Sequence, residues 1–77
     1  MPVIIRSYVV EGDLASGYDF EYTFRTEKEA KECFNGIAGE MFLGKNSVVY
    51  VTLTEVSENR TTHFTDYITL ATFGGDQ

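Results

Sequence analysis

Four carboxylates stand close together early in the chain: Glu11, Asp13, Asp19 and Glu21. Side-chain oxygens at that density can ligate a hard cation, exchange protons with a substrate, or face a basic partner. Calcium loops need the spacing D-x-[DN]-x-[DN]-G with a later glutamate. Between Gly12 and Gly17 only Asp13 offers a carboxylate, so no metal is expected. Cys33 is the only cysteine, which rules out an internal disulfide or a cysteine-cluster zinc site. With no base in view to activate it, Cys33 reads as a small buried apolar side chain. His63, the only histidine, falls in the predicted fourth strand, and Asp66 three residues on points to the opposite face. The two do not form a dyad. Asn59-Arg60-Thr61 matches a glycosylation sequon, which has meaning only behind a secretory signal. Gly36-Ile37-Ala38-Gly39 has the GxxG spacing of an RNA-binding loop, but Glu40 follows where a basic surround is needed. No catalytic residue and no cofactor is expected.

The charge balance points the same way. Twelve acidic residues against six basic ones give a net charge of −6 in 77 residues. That sign argues against direct binding to nucleic acid or to an anionic membrane, since both present phosphates. It favours a basic protein partner, a cation or plain solubility. The length allows one domain over residues 1–77, and 43% apolar residues suffice for a core. No apolar run approaches the roughly 18 residues of a membrane span, and the first residues lack a signal-peptide core, so the expected location is the cytoplasm.

The elements that must position the carboxylates are legible as periods. Residues 3–11 read as a strand ended by Gly12-Asp13, followed by a loop to Gly17. Residues 18–26 form the clearest strand, with Tyr18, Phe20, Tyr22 and Phe24 alternating with Asp19, Glu21, Thr23 and Arg25. Thr26 and Glu29 make a capping box. Behind it Ala30, Cys33, Phe34, Ile37, Ala38 and Met41 form the stripe of an amphipathic helix over 27–43, with Glu27 and Lys31 paired outside and Gly44 as the stop. Gly36 and Gly39 inside it suggest a close backbone approach. Strands over 47–56 and 61–73 follow, joined by a turn at 57–60, and residues 74–77 are a short tail. Val49, Val51, Leu53, Phe64, Ile68 and Leu70 are expected to face the helix. The predicted fold is α+β: a two-layer ββαββ sandwich, with a four-stranded antiparallel sheet and one helix on one face. The opposite sheet face has no cover in this chain.

The register of the first hairpin decides what that bare face displays. If Glu11 pairs with Tyr18, Tyr8 and Val10 lie outside beside Asp19 and Glu21. If the register slips by one, they join the aromatic core.

The residues Met1-Pro2-Val3-Ile4-Ile5, followed by Glu11-Gly12, resemble the start of the 4-oxalocrotonate tautomerase family, and residues 47–55 resemble that family's second strand. The resemblance implies proton transfer by an N-terminal secondary amine, with Pro2 as the base. Asp13 stands where the family carries an arginine, residues 47–55 hold no counterpart to its strand arginine, and the strand over 18–26 is an addition.

The functional expectation is therefore a small acidic protein-binding module. Glu11, Asp13, Asp19 and Glu21 supply the field, and Tyr8, if exposed, the anchor. In its most concrete form it inhibits or regulates a basic, nucleic-acid-binding protein by charge mimicry, resembling phage-encoded inhibitors in size and charge. A second expectation is a self-assembling structural protein, such as a homodimer, that buries its bare sheet face or an edge strand against a second copy, with outward Ile4, Tyr8 and Val10 as the seam. The third is tautomerase-type catalysis at Pro2.

Overall fold

Each strand lies antiparallel to its neighbours in one open sheet of order β2-β1-β3-β4, and one helix covers part of one face. The computed structural model describes residues 3–75; Pro2 and the tail residues Asp76 and Gln77 lie outside the described residues. The elements are β1 (Ile4–Leu14), β2 (Asp19–Phe24), α1 (Glu27–Phe42), β3 (Val48–Asn59) and β4 (Phe64–Gly74). The ββαββ, α+β two-layer arrangement is as expected. β2 and β3 both run antiparallel to the central β1, so α1 joins two parallel strands across it.

The helix begins and ends as its residues dictate. Thr26 Oγ1 accepts from the Glu29 N–H at 3.2 Å, and the Thr26 hydroxyl donates to Glu29 Oε1 at 2.9 Å. At the other end Gly44 adopts φ 71°, which frees two N–H groups to turn back. Gly44 donates to the Met41 carbonyl and Lys45 to the Glu40 carbonyl, a Schellman motif. Lys31 Nζ lies 2.6 Å from Glu27 Oε2, the i, i+4 pair on the outer surface. The core consists of Val10, Ala30, Phe34, Val51 and Leu53, with Tyr8, Phe20, Phe24, Cys33, Ile37, Ala38, Met41, Val48 and Ala71 packed partly buried around it. All six residues of the predicted helical stripe are in it.

Several boundaries differ from expectation, each for a local reason. Gly12-Asp13 does not end β1. Gly12 pairs with Phe20 on one side and Val51 on the other, and the strand runs on to Leu14. The turn is tighter than expected, with Leu14 N–H donating to the Tyr18 carbonyl at 2.7 Å; Tyr18 stays outside β2, 77% exposed. The β3–β4 turn also falls later. Asn59 Oδ1 accepts from the N–H groups of Thr61 and Thr62, so the chain turns at 60–63 rather than 57–60. His63 is thus a turn residue, not a strand residue, with φ 62°. Gly74 closes β4, and Gly75 donates to the Val49 carbonyl, so both belong to the sheet rather than to a loose tail.

The glycines of the helix do not mark a close approach. A Cβ at Gly36 or Gly39 would meet nothing within 4 Å. Val49, Phe64, Ile68 and Leu70 are also exposed rather than buried under the helix. A register shift between Asp13 and Leu14 pairs Leu14 with Val48, which takes the core place expected of Val49. A second shift between Leu53 and Thr54 leaves Leu70 without a pairing partner on β3. Phe64, paired with Asn59 beyond the end of β2, lies past the end of α1, while Ile68 shares the rank of Tyr8 and Phe24 but stands on the edge strand. A 16-residue helix spans about 24 Å, while a 12-residue strand spans about 40 Å. Among the described residues no helix is long and apolar enough to cross a membrane.

Candidate interaction face

The pairing of β1 with β2 settles the hairpin register. Tyr8 stands opposite Phe24, Val10 opposite Tyr22, and Gly12 opposite Phe20. These residues share the helix-covered face, so Tyr8 and Val10 join the aromatic core. Glu11 pairs with Glu21 rather than Tyr18, a slip of three residues that gives the same facing as a slip of one. Val10 is fully buried, and Tyr8 is half-buried with its hydroxyl donating to Glu55 Oε2 at 3.1 Å. Burial and then the Glu55 hydrogen bond raise the Tyr8 pKa above its ordinary value. Tyr8 is therefore a core-side residue and not an anchor on the bare face. Ile4, Tyr8 and Val10 do not form an outward seam either, since only Ile4 of the three is exposed.

What the register brings to the bare face is the acid. Glu11 stands opposite Glu21 and Asp13 opposite Asp19, two like-charged cross-strand pairs in consecutive ranks. All four side chains are exposed. The pairs are about 7 Å apart along the strands, and directly opposite Cβ atoms lie about 5 Å apart. Like charges placed so close oppose folding. Among the described residues one salt bridge occurs, between Lys31 and Glu27 on the helix, so none of the four carboxylates is neutralised by a cation. Arg6 pairs with Ser57, toward the other end of the sheet.

β3 and β4 continue this face with neutral polar groups. Tyr50 stands beside Asp13 and Thr52 beside Glu11, and the Thr52 hydroxyl donates to the Glu11 carbonyl at 3.5 Å. With Thr54 and Thr69 they line an open depression of about 640 Å³ whose far wall is the four carboxylates. Sequence reasoning put no functional weight on Tyr50, Thr52 or Thr69. The alternation that places them on the carboxylate face was visible, but strand order was not.

The other candidate chemistries do not gain partners. No group of three or more metal-ligating side chains converges among the described residues. Cys33 packs against the core, and burial pushes its thiol up, which disfavours the nucleophilic thiolate. The residue at the position of the tautomerase arginine, Asp13, faces Asp19 across the strands, an arrangement that repels an anionic substrate. No protein-family model, curated protein or solved structure matches the chain.

Proposed function

We propose that the protein is a small acidic protein-binding module that offers its uncovered sheet face to a basic partner. The observation that carries this reading is the double pairing of Glu11 with Glu21 and Asp13 with Asp19 on a face that none of the described elements covers. Adjacent like charges cost stability, so a neutral or alternating pattern would fold better. A basic partner reverses the sign of that cost, because its lysines and arginines relieve the repulsion when they arrive.

The most concrete form is an inhibitor or regulator that occupies the phosphate-binding surface of a nucleic-acid-binding protein. Such surfaces are built to receive closely spaced negative charge. Glu11, Asp13, Asp19 and Glu21 play the phosphates. Tyr50, with the neighbouring threonines, replaces Tyr8 as the amphipathic contact beside them.

The test is capture of partners by the tagged protein from a lysate of the organism that encodes it, with washes at low and high salt. A basic, nucleic-acid-binding protein should be held at low salt and released at high salt, since exposed charges are screened within about 10 Å at 0.1 M. Asp19→Lys with Glu21→Lys should abolish capture, and nucleic acid should compete for the captured protein. Capture that ignores both salt and charge reversal would overturn the reading.

A further inference from the structure

We propose that β4 is a dimerisation edge, where a second copy of this chain pairs antiparallel to make one continuous eight-stranded sheet. The inference is independent of the acidic-face reading and rests on other residues.

The two edges of the sheet are built differently. β2 is six residues long and carries Asp19 and Glu21, the short, charged form that discourages strand addition. β4 is eleven residues long, has no proline or lysine, and contains one charge, Asp66. It exposes large apolar side chains: Phe64 and Ile68 on the helix side, Tyr67 among Thr65, Thr69 and Thr72 on the other, and Leu70 at the register shift. An edge strand of this length, with a single charge, exposed Phe64, Tyr67, Ile68 and Leu70, and β-favouring threonines between them, is a template for another strand.

The surface area agrees in magnitude. The chain exposes 5583 Å², whereas a folded monomer of 8.7 kDa is expected to expose about 4,700 Å². The excess is roughly 850 Å², close to the roughly 800 Å² per partner that a standard stable interface buries. The molecule is correspondingly drawn out, 47 × 23 × 20 Å, because residues 56–59 and 64–67 run on past both β2 and the helix.

Charge selects the occupant. In the order β2-β1-β3-β4 the acidic hairpin is at the far side from β4. A twofold axis normal to the sheet sets two β4 strands antiparallel, keeps both helices on one face, and leaves the two acidic hairpins at opposite ends of the eight strands. Seven strand spacings separate the two β2 strands, about 34 Å and several Debye lengths at physiological salt. Pairing through β2 would instead bring the carboxylates of both copies together. The β4 contact is isologous, so it closes at two copies and does not propagate.

The experiment is sedimentation or light scattering of the full chain from about 1 to 100 μM, with circular dichroism to confirm the fold. The expected result is twice the chain mass, falling to the chain mass on dilution. Ile68→Lys with Tyr67→Lys, both exposed, should raise the dissociation constant at least ~100-fold with the spectrum kept, because like charges would then face each other across the seam. Tyr22→Lys on the opposite edge should leave the dimer intact. If the β4 variant does not fold, hydrogen exchange of the unaltered protein decides: β4 amides should gain protection as concentration rises. A folded monomer at 100 μM overturns the proposal and leaves β4 for a strand of another protein. So does a dimer that survives the β4 substitutions or is lost with Tyr22→Lys.

Discussion

Gly12 shows how one residue sets the geometry of the whole acidic face. A glycine in mid-strand ordinarily weakens it, and Gly-Asp in sequence reads as a stop. Here the missing side chain is what lets the strand continue. A Cβ at this position would collide with the Tyr50 carbonyl oxygen and sit 2.9 Å from the tip of the Phe20 ring. Phe20 therefore lies over Gly12, buries it, and locks the register in which Glu11 meets Glu21 and Asp13 meets Asp19. Gly12→Ala should cost about 1–3 kcal/mol through overpacking, read as a lower urea midpoint. An alanine variant as stable as the parent would show that the close approach is not needed. The sequence does not specify the register for this reason: period two names two faces, but only the Gly12–Phe20 contact says which residues pair.

At the scale of the element, the helix was the most legible part of the chain. Its capping box, its apolar stripe and its Schellman glycine are local signals, and each is decided within one or two turns. The two glycines were the exception, since a glycine needed for contact and a glycine merely tolerated look identical in sequence. Gly36 and Gly39 face open space, and their φ values are not in the left-handed region. Gly36→Ala and Gly39→Ala should each stabilise by about 1 kcal/mol, visible as a higher urea midpoint with an unchanged slope. Loss of stability in either variant would reveal a contact on that face. The strands were legible in kind but not in extent. Alternation identifies the side of β4 that faces the helix only as far as Leu70, beyond which the register shift hands that side to Ala71 and Phe73. Nor can it say that a helix of about 24 Å stops short of Phe64 on strands of about 40 Å.

For the whole molecule, the decisive quantity is repulsion within a chain of net charge −6 that holds one described salt bridge. Salt has little attraction to screen and much repulsion, so stability should rise as salt is added. Urea unfolding at fixed protein concentration should show a gain of about 0.5–1 kcal/mol between 0.05 and 0.5 M sodium chloride. The source of that gain can be located. Glu21→Gln should stabilise by about 0.2–1 kcal/mol at low salt and lose part of the salt response, because it removes one member of the Glu11–Glu21 pair. Glu11→Gln added to it should then gain less than Glu11→Gln alone, since the repulsion has already gone. The same substitutions should weaken capture of a basic partner. Stability and binding moving in opposite directions at Glu11 and Glu21 is what an interaction face predicts and a merely solubilising charge does not. If salt lowers stability, or the two substitutions simply add, the carboxylates do not repel as their register requires.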